Sequence, residues 1–192
     1  MDTQTRAMEI FAETGALLEG HFILTSGRHS DKYMQCAKVF QHPDKAGELC
    51  SALAELFRDA DIDLVIGPAV GAVQMAYDVS RHLGCRNFFT ECNAEGKMEL
   101  RRGFELTPDV RVLVVEDAIT TGGTVKEVID YLQAQGAYIA GVGSLIDRSG
   151  GKADFGVPFK SVARIDRLSS WEAAECPLCA AGSEPIKPGS RK

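Results

Sequence analysis

The stretch VLVVEDAITTGGTV (residues 112–125) decides the fold of this chain. Its first four residues are apolar and lie between Arg111 and Glu116, which is typical of a buried central strand in a parallel sheet. Two carboxylates, Glu116 and Asp117, stand at the carboxyl end of this predicted strand. Three threonines and two glycines follow, and an apolar helical pattern begins at Val125. The stretch therefore predicts a strand, a short polar loop and a helix in direct succession.

The polar loop has the chemistry of a phosphate-binding site. Glycine lets the backbone approach an anion closely, and the first N–H groups of a helix have no partner within the helix. The hydroxyls of Thr120, Thr121 and Thr124 can donate to the same phosphate. Paired acids beside an anion fit a ligand that carries sugar hydroxyls or a hydrated Mg²⁺. The residues thus point to a phosphorylated sugar, although α/β proteins of other function also have apolar strands that end in an acid and a glycine loop.

Length and composition limit the classes of function. The chain has 192 residues, of which 45% are apolar and 25% charged, and these values are typical of a soluble single domain. A net charge of −6 without a long basic run disfavours nucleic acid as a partner. No apolar run approaches the roughly 20 residues that span a bilayer, and residues 1–9 lack the form of a signal peptide. We therefore expect a cytoplasmic protein with no membrane partner.

Apolar spacing predicts strands that alternate with helices. A helix is expected over residues 7–18, with Gly15 as a residue that can shorten it, and a hairpin is expected over residues 21–37, around the turn Ser26-Gly27. This alternation predicts an α/β fold with a mainly parallel sheet of about five strands flanked by helices. Further strands are expected at residues 64–66, 88–89, 98–102, 112–115, 138–146 and 161–165. Further helices are expected from residue 43, over residues 75–83 and over residues 125–135.

The stretch at residues 112–125 resembles the signature of the type I phosphoribosyltransferases, which bind 5-phosphoribosyl pyrophosphate (PRPP). The segment GHFILTSGRHSDKYMQCA is similar to the N-terminal hood of the orotate phosphoribosyltransferases, with Thr25 where many members have lysine. This resemblance implies the type I phosphoribosyltransferase fold. It also implies phosphoribosyl transfer from PRPP to orotate, Mg²⁺ as cofactor and a homodimer. A single domain over residues 1–192 would have a hood (about 1–40), a core (about 41–166) and an irregular tail (about 167–192).

The resemblance also implies roles for individual residues. Asp117 and Lys97 are the expected catalytic residues, with Lys97 as the closing charge of a loop that lacks the basic pattern usual in the family; a solvated turn residue is the alternative. No side chain is expected to bind Mg²⁺ directly, because PRPP and water would hold it. The residues expected to bind PRPP are Glu116, Asp117, Ala118, Ile119, Thr120, Thr121, Gly122, Gly123, Thr124, Val70 and Gly71. Those expected to bind orotate are Thr120, Arg148, Ser26 and Arg28.

The assignment of Arg148 has a chemical basis. A guanidinium group forms paired, charge-assisted hydrogen bonds with a carboxylate, and orotate is a pyrimidine that carries one. A surface ion pair with Asp147 is the alternative for this arginine. Two other functions also remain open: transfer to a purine or another base, and a non-catalytic regulator of the same fold that senses PRPP.

Of the six cysteines, Cys176 and Cys179 have the spacing of metal ligands. One C-x-x-C pair is half of a zinc site. A second copy of the chain would most simply supply the other half. The alternatives are a redox role and two cysteines without a function in a polar tail.

Overall fold

A computed structural model describes residues 2–24, 26–165 and 169–188 of the chain. Helices and strands alternate through these ranges, as the sequence predicts. The helices are α1 (Thr3–Glu13), α2 (Pro43–Leu56), α3 (Val73–Leu83), α4 (Gly123–Ala134) and α5 (Pro177–Ala180). The strands are β1 (Leu17–Ile23), β2 (His29–Met34), β3 (Leu64–Pro68), β4 (Arg86–Cys92), β5 (Met98–Leu100), β6 (Arg111–Ile119), β7 (Tyr138–Asp147), β8 (Phe159–Arg164) and β9 (Ser170–Trp171).

The larger sheet has six strands within the described residues, in the order β5-β4-β3-β6-β7-β8. The strands β4, β3, β6, β7 and β8 are parallel, and β5 is an antiparallel edge strand. The predicted mainly parallel sheet is thereby confirmed, and the strand expected at residues 98–102 forms β5. Strand β6 lies inside the sheet, between β3 and β7, and its residues 112–115 are accordingly fully buried. The carboxyl ends of β3, β6 and β7 consequently meet at one edge of the sheet.

Helices cover both faces of this sheet. Apolar side chains of α1, α2 and α3 form one core with the sheet, and Leu49 and Leu53 of α2 are almost fully buried in it. On the other face, α4 buries Val125, Val128 and Leu132. Both cores follow from the apolar periodicity of the helices. Among the helices that the structure describes, none combines the length and apolar character that crossing a membrane requires.

The first helix is shorter than the sequence predicts. Helix α1 ends at Glu13, whereas apolar spacing indicated a helix to residue 18. Gly15 has a φ of +65°, a left-handed conformation that glycine adopts without steric cost and that ends the helix. Leu17 therefore begins β1, which pairs with β2 in the predicted antiparallel hairpin. Thr25, in the turn of this hairpin, lies outside the described residues.

The C-terminal segment is more ordered than the predicted irregular tail. Strand β9 adds to the edge of β2 through Trp171 and Ser170, and Ile186 pairs with β1. The backbone N–H of Ile23 donates to the carbonyl oxygen of Ile186 at 2.8 Å. The N–H and C=O groups at the edges of the hairpin thus find partners from the other end of the chain. Residue 166 of the predicted core and residues 167–168 and 189–192 of the predicted tail lie outside the described residues.

Candidate active site

The predicted phosphate loop forms the start of α4. Gly122 precedes the helix, and its carbonyl oxygen accepts the backbone N–H of Lys126 at 3.0 Å. Free N–H groups of the first helical turn and the exposed threonines thus face the same cavity of about 230 Å³. This cavity is lined by Glu116, Ala118, Ile119, Thr120, Thr121, Gly122, Gly123, Thr124 and Val125. The structure therefore brings the residues of the loop together around one concavity, and their role in binding an anion stays a prediction.

Gly122 is required in this loop for two reasons. Its φ is +74°, which a residue with a Cβ rarely adopts. A Cβ at this position would also lie 2.7 Å from Cε1 of Phe155. Phe155 is buried and belongs to the core on the α4 face, so its ring has little room to move. The packing of Phe155 against Gly122 therefore restricts the conformation of the phosphate loop.

The acid pair lies at the end of β6, beside the loop that follows β3. Glu116 and Asp117 are both half-buried. Burial raises the pKa of Asp117, while the N–H of Ala118 and the charge of Arg148 act in the opposite direction. A Cβ on Gly71 would lie 3.5 Å from Oδ2 of Asp117, so the loop after β3 lies close to this side chain. Asp117 is thus a neighbour of the predicted pyrophosphate loop in space and precedes the phosphate loop in the chain.

The loop between β3 and α3 presents its backbone to solvent. Val70 is 87% exposed and Gly71 is also exposed. The peptide bond between Ala69 and Val70 is cis, and the N–H of Ala69 donates to the carbonyl oxygen of Thr90 at 2.7 Å. An exposed backbone beside the acid pair can offer N–H groups to an anion. The position of this loop therefore agrees with the predicted role of Val70 and Gly71.

Arg148 follows β7 and lies next to the acid pair. Its N–H donates to the carbonyl oxygen of Ile119 at 2.8 Å, which holds the end of β7 against the end of β6. Its Nε atom is buried and has no hydrogen-bond partner among the described residues. Burial lowers the pKa of Arg148, whereas Cys36, Tyr33 and Asp117 raise it. Arg148 is therefore a partly buried cation whose Nε–H group can donate a hydrogen bond to an anionic ligand.

Two residues around Arg148 were given no role from the sequence. Tyr33 belongs to the hood strand β2, and Cys36 begins the short 3₁₀ turn after it. Burial raises the pKa of the Cys36 thiol, so this group is uncharged at neutral pH. The hood thus forms one wall beside Arg148. For Tyr33 the sequence did contain a signal, because this residue belongs to the segment that resembles the hood of the family.

Ser26 and Arg28, the hood residues that are predicted to bind orotate, have different surroundings from the residues at the sheet edge. Ser26 is exposed in the turn between β1 and β2. Arg28 donates from Nε to Oγ of Ser170 at 3.1 Å and also forms an ion pair with Glu172. In this structure the guanidinium group of Arg28 therefore contacts the C-terminal segment, and its role toward orotate stays a prediction.

Lys97 lies in an exposed hairpin turn. It occupies the turn between β4 and β5, where its side chain is 73% exposed and forms an ion pair with Glu95 at 3.4 Å. The turn itself is held by the side chain of Asn93, whose Oδ1 accepts the N–H groups of Glu95 and Lys97. The N–H of Met98 donates to Oε1 of Glu127 on α4 at 2.7 Å, which ties this hairpin to the phosphate-loop helix. The role of Lys97 as a closing charge also stays a prediction.

Comparison with known proteins identifies the family. Residues 37–178 match the phosphoribosyl transferase domain. The chain is 50% identical over 185 residues to the orotate phosphoribosyltransferase of Caldicellulosiruptor bescii, covering 96% of each chain. It is 51% identical over 183 residues to that of Thermotoga maritima, covering 95% of this chain and 97% of the relative.

A solved structure agrees with this relationship. The crystal structure of orotate phosphoribosyltransferase from Aeropyrum pernix matches with a TM-score of 0.72 and 26% identity, over 82% of this chain and 92% of that one. The predicted fold class is thereby confirmed. The chain belongs to the phosphoribosyltransferase family, in the group that contains these orotate phosphoribosyltransferases.

Proposed function

We propose that this protein transfers the 5-phosphoribosyl group from PRPP to orotate, giving orotidine 5′-monophosphate and pyrophosphate in pyrimidine biosynthesis. The observation that carries the proposal is the partly buried Arg148 beside the acid pair and the phosphate loop. This arrangement joins a cation suited to the orotate carboxylate with a site suited to a phosphorylated ribose. Relatives that are about half identical over nearly their full length carry the name of this activity.

The reaction exchanges the bond from the anomeric carbon to pyrophosphate for a bond to a ring nitrogen of orotate. Positive charge develops on the ribose ring, and no covalent intermediate with the protein is needed. The protein then acts by positioning and by electrostatic stabilisation. Glu116 and Asp117 hold the ribose hydroxyls and favour the developing positive charge. The phosphate loop holds the 5′-phosphate, and the backbone at Val70 and Gly71 holds the pyrophosphate.

Mg²⁺ fits the chemistry of this edge. Oxygen ligands from carboxylates and phosphates suit Mg²⁺. Burial raises the pKa of Asp117, and a nearby cation or hydroxyl donor would favour the ionised form of this carboxyl group. When bound, the ion would neutralise charge on the pyrophosphate. Glu116 and Asp117 would then meet the ribose hydroxyls and the water ligands of the ion. Orotate would lie against Arg148 and Thr120, under the hood residues Ser26 and Arg28.

A spectrophotometric assay tests the proposal. We expect the absorbance of orotate to fall in the presence of PRPP and Mg²⁺, and chelation of Mg²⁺ to stop this reaction. Adenine, hypoxanthine and uracil serve as matched substrates for the alternative of another base. Turnover with one of these bases and not with orotate would contradict the proposal. Binding of PRPP without turnover of any base would instead support a regulator.

Lys97 is the proposed closing charge, supplied to the site of a neighbouring subunit in a cytoplasmic homodimer. Its exposed position in the turn between β4 and β5 agrees with a role outside its own acid pair. We expect Lys97→Ala to lower kcat by about 100-fold, as loss of one electrostatic group at a leaving group does. Glu95→Gln, which removes the ion-pair partner of Lys97, is the matched control and should keep activity.

Mixed dimers test which subunit supplies Lys97. Co-expression of Lys97→Ala chains with Asp117→Asn chains should restore about a quarter of the wild-type activity, because half of randomly paired dimers then have one intact site. Light scattering should give the mass of a dimer. Activity of Lys97→Ala close to wild type would contradict its role, and a mixture without recovery would assign Lys97 to its own subunit.

A further inference from the structure

Four potential metal ligands converge between the hood and the C-terminal segment. Of the residues that the structure describes, His21 of β1, His29 of β2, Cys176 and Cys179 place one nitrogen or sulfur atom each within 4.8 Å of one another. His21, His29 and Cys176 are buried, with exposures of 6%, 6% and 2%. The two cysteines are the C-x-x-C pair noted in the sequence. Its complement comes from the same chain, so a second copy is not needed.

The distances between these atoms are those of a tetrahedral site. Zinc bonds of about 2.1 Å to nitrogen and 2.3 Å to sulfur give separations of about 3.4 Å for two nitrogens and about 3.6 Å for nitrogen and sulfur in a tetrahedral site. His21 Nε2 lies 2.9 Å from His29 Nδ1 and 3.4 Å from Cys176 Sγ. Cys179 Sγ lies 3.3 Å from His29 Nδ1 and 3.8 Å from His21 Nε2. These four separations lie within about 0.5 Å of the tetrahedral values, so the four atoms are grouped closely enough to share one ion.

Hydrogen bonds alone account poorly for this cluster. Nδ1 of His21 lies 3.0 Å from the carbonyl oxygen of Ser183, which can only accept, so Nδ1 carries a proton and donates. Nε2 of a neutral His21 then has one lone pair, yet His29, Cys176 and Cys179 all crowd around it. A cation at the centre would use this lone pair and a ligand atom of each neighbour at once. The contact with Ser183 would orient the His21 ring, as a carbonyl oxygen that accepts from the other ring nitrogen of a histidine ligand does in zinc sites.

We propose that His21, His29, Cys176 and Cys179 bind one Zn²⁺ ion that fastens the C-terminal segment to the hood. Two thiolates and two imidazoles select a soft or borderline ion of tetrahedral preference, and they exclude Mg²⁺ as the occupant. The four ligands leave no open position for substrate, so the ion is structural. His21 and His29 flank the turn that contains Ser26 and Arg28, and the ion thereby fixes the base of this turn.

Metal analysis of the purified protein tests this site directly. We expect about one zinc per chain, and its loss in the double variant Cys176→Ser with Cys179→Ser. Cys92→Ser, at an exposed cysteine outside the cluster, is the matched control and should keep zinc. In zinc-free protein, Co²⁺ should produce the visible absorption of a tetrahedral site with thiolate ligands. His29→Gln should alter this absorption, which assigns the histidine.

Stability gives a second readout, independent of activity. Removal of zinc by a chelator should lower Tm by at least about 5 °C, because metal that binds the folded state stabilises it. Added Zn²⁺ should restore Tm, and Mg²⁺ should not. Protein that holds no zinc and shows neither a Tm shift with Zn²⁺ nor the Co²⁺ absorption would overturn the proposal. A disulfide between Cys176 and Cys179 in protein purified without oxidant, detected by mass spectrometry, would overturn it as well.

Discussion

Asp117→Asn should lower kcat/KM for PRPP by about 100-fold. The carboxylate lies close to the loop at Gly71 and just before the phosphate loop in the chain, where the proposed reaction puts the ribose. An amide keeps the size of the side chain and removes the negative charge. Hydrogen bonds to charged groups contribute about 1.5–3 kcal/mol, which corresponds to roughly 10-fold to 150-fold in rate. Steady-state kinetics with PRPP as the varied substrate measure the effect.

The stability of this variant separates a catalytic role from a structural one. Burial raises the pKa of Asp117 above its unfolded value, so the folded state favours the protonated form. The contribution of Asp117 to folding stability is present below the pKa of this group in the unfolded state. It is lost as the pH rises through the pKa of this group in the folded state. At neutral pH the ionised carboxylate costs stability, and Asp117→Asn should leave Tm unchanged or raise it. Asp130→Asn, on the exposed side of α4, is the control; wild-type kinetics for Asp117→Asn would contradict the assignment.

Arg148→Ala should raise KM for orotate by about 50-fold and change KM for PRPP by less than about 3-fold. The reason is the loss of a paired, charge-assisted contact with the orotate carboxylate, worth about 1.5–3 kcal/mol. The buried Nε atom without a partner among the described residues shows that this guanidinium group is not saturated by the protein. Kinetics with each substrate varied in turn measure the difference.

Two further variants refine this result. Arg148→Lys keeps the charge but loses the planar fork, so its KM for orotate should lie between those of wild type and Arg148→Ala. Arg164→Ala removes a more exposed arginine of the neighbouring strand, which pairs with Asp147, and should leave KM for orotate unchanged. An equal rise in KM for both substrates in Arg148→Ala would argue for a general loss of structure at this edge.

Local sequence patterns predicted the part of the fold where the signal lies within one element. The apolar run of β6, its acids and the glycine-threonine loop are contiguous, and the structure shows the strand, loop and helix in that order. The end of α1 was mispredicted because Leu17 and Leu18 continue a helical spacing beyond Gly15. The left-handed conformation of Gly15 overrides that spacing.

The features that sequence reasoning missed depend on contacts between distant parts of the chain. The pairing of β9 with β2, and the contact of Arg28 with Ser170, join residues about 140 positions apart. The meeting of His21 with Cys176 spans 155 positions. No periodicity within either segment reports such pairing, because each partner satisfies its own local pattern. For the same reason the C-x-x-C pair was recognised, and its histidine complement was not.

The seam between the hood and the C-terminal segment also affects the order in which the protein matures during synthesis. Arg28 emerges from the ribosome 142 residues before its partner Ser170. At roughly 5–20 residues per second this interval lasts about 7–30 s, during which the edge of β2 has no strand to pair with. The hood is therefore translated first, but its sheet is complete only after the C-terminal segment has been synthesised.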